Sequence, residues 1–335
     1  MKPFSLLLKP VGGACNLDCH YCFYKKDHVG GLMSFDTAAR IFSSYAALPF
    51  EGKAIALQGG EPLLALGSGI FELLDNYPVD KSLQTNATLV TEDCAAMLAS
   101  GNWLVGASLD GPEPLNRLRG DSFAATVRGI RNLEAAGVDY NLLTVVTQAN
   151  VDKPREVYRY LRDNFQTRFH QYIECSGPCD DIDAGQWGNF LIGLFDEWIK
   201  RDAHTVSIRL FDSIVSQLLL GVPTQCSYGP ACDQYLVVEH DGSVYPCDFH
   251  VRPDLKIGNI DTHSFEELIA SPIFQKFAAA KTTMCPAACI SCAYRDFCHG
   301  DCPRHRARFC AGLKKFFAHA LPRFRELAAE CSRPF

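Results

Sequence analysis

Residues 5–22 read Ser5-Leu6-Leu7-Leu8-Lys9-Pro10-Val11-Gly12-Gly13-Ala14-Cys15-Asn16-Leu17-Asp18-Cys19-His20-Tyr21-Cys22, an apolar strand-like run leading into three cysteines spaced C-x3-C-x2-C. A compact loop after a strand can point three thiolates inward. Soft thiolates select iron–sulfur clusters, zinc or copper(I). Full ligation of a four-iron cluster takes four cysteines. Three leave one iron open, and an open coordination position is what a reactive metal needs. On spacing alone, a three-cysteine zinc site completed by His20 or His28 stands as the alternative.

Outward from this loop, strand-like and helix-like segments alternate through the first 175 residues. Strands are expected at 5–9, 54–58, 82–85, 104–109, 141–147 and 169–174. Helical patterns lie between them at 35–47, 69–77, 91–99, 122–136 and 154–164. Uninterrupted apolar strands fit a parallel sheet covered on both faces. Repeated β–helix–β order gives right-handed crossovers. Six units are too few for a closed eight-stranded barrel, so the expected class is α/β, a partial (β/α)6 barrel or an open sheet. Two further helical patterns follow at 186–200 and 209–220.

From Thr224 the texture changes to short segments rich in Gly, Pro and Cys, and the expected domains are 1–223 and 224–335. Residues 235–239 and 243–245, joined by His240-Asp241-Gly242, read as a hairpin around an Asp-Gly turn. A helix from 311 to about 330, containing Pro322, ends the chain. Nine of the sixteen cysteines fall between Cys226 and Cys310, enough for two four-thiolate sites with one thiol over. Structural zinc is the alternative there too. Net charge is -6 and pI about 5.9, with no Lys/Arg run. That profile argues against nucleic acid as a partner. No apolar stretch approaches a membrane span. Clustered cysteines without an export signal point to the cytoplasm.

The first cysteine loop, with Tyr21 before the third cysteine, resembles the signature of the radical S-adenosylmethionine (SAM) superfamily. Gln58-Gly59-Gly60-Glu61-Pro62 after the second strand resembles that superfamily's glycine-rich motif, which binds the amino group of SAM. Ser108-Leu109-Asp110-Gly111 ends the fourth strand, where the family places SAM contacts. The cysteine-rich region resembles the SPASM domain. By that likeness Cys226, Cys232, Cys247 and Cys302 would ligate a nearer auxiliary cluster, and Cys289, Cys292, Cys298 and Cys310 an outer one. Cys285 falls outside the pattern.

Within the superfamily the chain is most similar to the anaerobic sulfatase-maturating enzymes. The likeness extends through Leu83-Gln84-Thr85-Asn86, Val206-Ser207-Ile208-Arg209 with Phe211-Asp212, and Asp241-Gly242-Ser243-Val244-Tyr245-Pro246-Cys247-Asp248-Phe249. It implies three 4Fe-4S clusters, one SAM-binding and two auxiliary. The implied substrate is a sulfatase polypeptide whose Cys or Ser becomes Cα-formylglycine, and the implied electron donor is a reduced flavodoxin or ferredoxin. It also implies Asp248 as the base that takes the thiol or hydroxyl proton, and Tyr24 and Gln58 as SAM or substrate contacts. Arg209 and Asp212 would line the peptide site or pair with each other. The stretch 176–185 is shorter than the family pattern leads one to expect. The competing readings are another SPASM-type peptide modifier, forming cross-links or epimers, and a non-enzymatic zinc or redox scaffold.

Overall fold

The computed structural model describes residues 4–25, 28–175 and 182–331. Strands β1 (Phe4–Leu8), β2 (Lys53–Leu57), β3 (Asp80–Thr85), β4 (Leu104–Ser108), β5 (Tyr140–Val146), β6 (Phe169–Glu174) and β7 (Ser207–Ile208) alternate with helices. These are α1 (Phe35–Ala46), α2 (Ile70–Leu74), α3 (Glu92–Ser100), α4 (Phe123–Ala136), α5 (Pro154–Asn164) and α6 (Ala184–Trp198), with α7 (Arg209–Leu220) after β7. Then come β8 (Tyr235–Val238), β9 (Ser243–Tyr245), β10 (Gly258–Asn259), α8 (Phe265–Ala270), α9 (Pro272–Thr283), α10 (Ala287–Ile290), α11 (Arg295–Cys298) and α12 (Cys310–Cys331). The class is α/β, as expected. Of the stretch 176–185, residues 176–181 lie outside the described residues, as does Cys179.

The chain divides into two compact bodies. The first comprises Met1–Ser108, Arg119–Tyr140 and Cys232–Ala279. Its sheet runs β10-β9-β8-β1-β2-β3-β4. β1 to β4 pair in parallel register. The hairpin expected near residue 240 forms as β8–β9. It is not a separate module: β8 pairs parallel with β1, Ser5 opposite Tyr235 and Leu8 opposite Val238. The core is the alternating inward set Leu6, Leu8, Ile55, Leu57, Leu83 and Val105, joined by Ile41, Phe42 and Tyr45 of α1. Local chemistry sets the helix starts. Ser34 caps α1 and Thr91 caps α3. Ser264 and Glu267 form a capping box on α8, a helix hidden in sequence by its irregular surroundings. Five parallel strands thus deliver their outgoing segments to one sheet edge, the usual ligand-binding end of such a fold.

The second body comprises Leu109–Leu118, Asn141–Ala231 and Ala280–Phe335. β5, β6 and β7 pair in parallel. An Asp183–Gln186 capping box opens α6. α6 packs closely on α12: a Cβ on Gly312 would lie 1.8 Å from the Ala184 carbonyl oxygen. The aromatic rings of Phe195, Trp198, Phe211, Phe316 and Phe324 fill the space between α6, α7 and α12, with Phe195 and Phe324 centroids 4.8 Å apart. Burying several such rings dominates the energetics of this body.

Candidate active site

Cys15, Cys19 and Cys22 occupy the loop after β1, all half-buried. The loop is braced from within: Cys22 N donates to the Cys19 carbonyl at 3.0 Å, and Lys25 Nζ donates to the Leu17 carbonyl at 2.7 Å. Donors are aimed at the sulfurs. Leu17 N lies 3.4 Å from Cys15 Sγ, Lys25 N lies 3.4 Å from Cys22 Sγ, and Asn86 Nδ2 lies 3.8 Å from Cys15 Sγ. Backbone and amide donors aimed at sulfur suit thiolates that hold a metal cluster, since such bonds disperse the sulfur charge. The three residues therefore fit the group that the spacing suggests. Tyr21 acts as a bolt: it is 8% exposed and its hydroxyl accepts from Arg119 Nη1 at 2.8 Å.

The glycine-rich segment leaves β2 and lies against the base of this loop. Gly60 N donates to the Gly12 carbonyl and Glu61 N to the Ala14 carbonyl, both at 2.8 Å. A Cβ on Gly60 would lie 1.8 Å from the Ala14 oxygen, and Gly59 has φ +125. Only glycine permits both the approach and the turn. Glu61 is buried and fully engaged. Its Oε1 accepts from Leu63 N and from the Thr85 hydroxyl, and its Oε2 accepts from Asn86 N at 2.8 Å. Burial pushes its carboxyl up and these donors pull it back. Among the described contacts, then, Glu61 joins the ends of β2 and β3. Pro62 opens a buried turn after it. Gln58 is half-buried at the strand end. The Ser108 hydroxyl accepts from Gln84 Nε2 at 3.0 Å.

Asp248 lies in the same body. Its Oδ2 is 3.9 Å from Lys9 Nζ, and its Oδ1 is 3.7 Å from Cys247 Sγ. The rings of Phe23 and Phe249 pack with centroids 4.6 Å apart. That contact ties the residue after Cys22 to the residue after Asp248. Lys9, 2% exposed, sits with Nζ 4.5 Å from the centre of the Tyr24 ring. The Tyr24 hydroxyl donates to Glu239 at 2.6 Å, and the ring stacks on His28 at 4.1 Å. Burial pushes the Lys9 ammonium down, while Asp248 and Glu239 favour its charge. Burial pushes Glu239 up against the pull of the Tyr24 hydroxyl. Sequence reading missed Lys9 and Glu239. The available signal was a charge at the end of each of two apolar strands, where a buried ion needs a partner.

The sequence profile of the Radical SAM superfamily matches residues 10–161, and that of SPASM, an iron–sulfur cluster-binding domain, matches residues 226–293. The Cysteine-type anaerobic sulfatase-maturating enzyme of Clostridium perfringens (strain 13 / Type A) is 31% identical over 98% of this chain and 99% of the relative. The chain belongs to the anaerobic sulfatase-maturating enzymes. A Serine-type member from Bacteroides thetaiotaomicron is 29% identical over 96% of this chain and 90% of its own. The structure of native anSMEcpe with bound AdoMet and Cp18Cys peptide superposes with a TM-score of 0.92 at 32% identity, covering 99% of this chain and all of that one. The maturase fold is thus α/β with parallel strands, a radical SAM domain followed by a cysteine-rich SPASM region and a C-terminal helix. The chain is an enzyme of the radical SAM oxidoreductase class.

The remaining cysteines of this maturase fall in both bodies. In the second, Cys289, Cys292, Cys298 and Cys310 line one pocket with Tyr294, Leu313 and Phe317. Four thiols around an apolar-walled cavity fit a fully ligated four-iron cluster. Cys285 is a hydrogen-bonding neighbour of Cys289. Cys226 and Cys302 also belong to this body. Lys281 Nζ donates to the Cys226 carbonyl at 3.1 Å, and Cys302 N donates to Asp301 at 2.7 Å. Asp301 and Glu174 flank His305 at 3.2 and 2.9 Å. Burial opposes the charge on His305, but these two carboxylates hold it up to about 9. Cys232 and Cys247 belong to the first body, where the Tyr235 hydroxyl lies 3.2 Å from Cys247 Sγ. Asp110 is buried in the second body, with Oδ1 accepting from Val145 N. Asp212 accepts from the Ser207 hydroxyl. With Arg209 it lines a groove beside Asn141, Phe169 and Gln171, at the start of β5 and β6. Among the described residues no helix is long and apolar enough to cross a membrane.

Proposed function

We propose that this enzyme oxidises a Cys or Ser side chain of a sulfatase polypeptide to Cα-formylglycine, with Asp248 as the base. The observation that carries this reading is Asp248 beside Lys9 and Cys247, pinned to the first cysteine loop by Phe23 and Phe249. In this reading Cys15, Cys19 and Cys22 hold the first cluster. Gln58, Gly59, Gly60, Glu61 and Pro62 form the SAM loop, with Ser108, Asp110, Tyr21 and Tyr24 contributing to the surrounding site. Cys226, Cys232, Cys247 and Cys302 hold the nearer auxiliary cluster, and Cys289, Cys292, Cys298 and Cys310 the outer one. Residues 1–223 form the radical SAM part and 224–335 the auxiliary-cluster part. When bound, the first cluster and SAM supply a hydrogen-abstracting 5′-deoxyadenosyl radical.

The chain's own residues do the rest. The substrate Cβ gives up one hydrogen atom, its thiol or hydroxyl gives its proton to Asp248, and one further electron leaves for the auxiliary cluster that Cys247 would help to hold. A Ser is then the aldehyde, whereas a Cys is a thioaldehyde that water hydrolyses with loss of hydrogen sulfide. Lys9 holds the carboxylate in place, and Glu239 holds Tyr24. The proton acceptor adjoins a proposed cluster ligand, Cys247. A radical must be made within contact of its target, so the peptide binds before cleavage. The substrate is a segment in a Cys/Ser-x-Pro-x-Arg context, the donor is a reduced flavodoxin or ferredoxin, and the reducing cytoplasm keeps the thiols available.

The test supplies such peptides with deuterium at Cβ to the anaerobically reconstituted enzyme. Deuterium in 5′-deoxyadenosine, with a peptide mass matching thiol-to-aldehyde or alcohol-to-aldehyde conversion, is the expected result. If these peptides stimulate no SAM cleavage, and another peptide is cross-linked or epimerised with deuterium lost elsewhere, the maturase chemistry is wrong.

A further inference from the structure

Asn86 is tied down through every polar group it has. It is 6% exposed, at the end of β3. Its backbone N donates to Glu61 Oε2 at 2.8 Å and its carbonyl accepts from the Thr126 hydroxyl at 3.0 Å. Its side-chain oxygen accepts from Thr88 N at 2.9 Å and from the Thr88 hydroxyl at 2.6 Å. With the oxygen so occupied, the amide nitrogen can point only one way. It donates to Asn16 Oδ1 at 2.9 Å and points to Cys15 Sγ at 3.8 Å. The next residue, Ala87, takes φ +62, a left-handed conformation that a residue with a Cβ rarely adopts. Gly129 accommodates it, since a Cβ there would lie 1.9 Å from the Ala87 oxygen. Local strain held in place on several sides marks a position the fold is built to keep.

We infer that Asn86 is a positioning residue for the first cluster: its amide donates to the sulfur of Cys15 and so sets that cluster's readiness to take an electron. The inference rests on the reading of Cys15, Cys19 and Cys22 as cluster ligands. An N–H directed at a ligating sulfur favours the more negative, reduced state, so hydrogen bonds to sulfur raise a cluster's potential. The donor is also joined to the SAM loop. Glu61 receives the Asn86 backbone N–H with one oxygen while its own backbone N–H holds Ala14, the residue before Cys15. A shift of the Gly59–Gly60–Glu61 segment therefore reaches the Cys15 sulfur through two hydrogen bonds.

The test is a redox titration of the reconstituted holoenzyme, followed by electron paramagnetic resonance. The first cluster is identified as the signal that changes when SAM is added. Asn86→Ala should keep its iron, and the first-cluster midpoint should move to a more negative potential. Thr88→Val, which removes the hydroxyl donor to the amide oxygen and keeps the backbone one, should move it the same way by less. Asn16→Ala removes a competitor for the amide and should not move it negative. An iron-replete Asn86→Ala with an unshifted midpoint overturns the inference. If Asn86→Ala fails to load, an unshifted midpoint in Thr88→Val overturns it equally. Parent protein that binds no iron at the first loop would instead defeat the cluster reading on which the inference stands.

Discussion

Replacing Glu61 measures how much of the site's rigidity runs through one carboxylate. Glu61→Ala leaves three buried donors without their acceptor: Leu63 N, the Thr85 hydroxyl and Asn86 N. Each unsatisfied buried donor costs about 1–3 kcal/mol. Relief from burying the charge, which pushes the Glu61 carboxyl up, returns part of that sum. The expected net loss is about 3–5 kcal/mol, a large share of the roughly 5–15 kcal/mol that holds a domain together. Glu61→Gln should cost less. Its amide oxygen can still serve Leu63 and Thr85, and one donor–donor contact at Asn86 should cost about 1–3 kcal/mol. Urea unfolding of the metal-free chain gives the stability order, and equilibrium SAM binding to the reconstituted chain shows whether the loop survives. An alanine variant within about 0.5 kcal/mol of the parent, the range of an ordinary surface change, and with unaltered SAM binding would refute the idea that Glu61 braces the loop.

Reconstituted protein should carry about twelve irons per chain, four per cluster, with little zinc. Joint replacement of Cys15, Cys19 and Cys22 by Ala should remove about four and abolish SAM cleavage; zinc in place of iron by elemental analysis would defeat this. Asp248→Asn should retain iron and SAM binding but lose about 10²–10⁴-fold in product formation, with SAM cleavage running uncoupled. Full product yield from that variant would take Asp248 out of the mechanism. His170 is 2% exposed, and burial holds its imidazole down to about 4. A depressed imidazole contributes stability that is present above its unfolded value of 6.5 and lost as pH falls from there towards about 4. Unfolding curves across that window should show an acid loss of about 3 kcal/mol that His170→Leu lacks; parallel curves for the two proteins would contradict it.

The regular part of the fold was legible because its signals are local. Six apolar strands and the helices between them are each long enough to show a period, and the structure has them within a few residues of the expected bounds. Two-residue strands such as β7 and β10 have no period to read. Helix α8 carried a legible Ser264-x-x-Glu267 box that the surrounding Gly, Pro and Cys obscured. The pairing of β8 with β1 is a contact between distant segments, which a single sequence does not encode in any local pattern. The clustered thiols announced themselves by spacing. Lys9, Glu239 and Asn86 did not, because each acquires its meaning from a neighbour brought close only by the sheet: Glu239 reaches Tyr24 across 215 positions.

That same parallel pairing has a consequence for how the enzyme is made. More than two hundred residues separate β1 from β8, roughly 10–50 s of translation at about 5–20 residues per second. Until β8 leaves the ribosome, one flank of β1 has no strand beside it: Ser5 N waits for the Gln234 carbonyl and Lys9 N for the Val238 carbonyl. An open strand edge invites pairing with other chains. Glu239, which steadies Tyr24 two positions past Cys22, arrives with the same late segment. The wall of the first cysteine loop is therefore finished near the end of synthesis, and iron delivered to a nascent chain would meet three thiols before it met their surroundings.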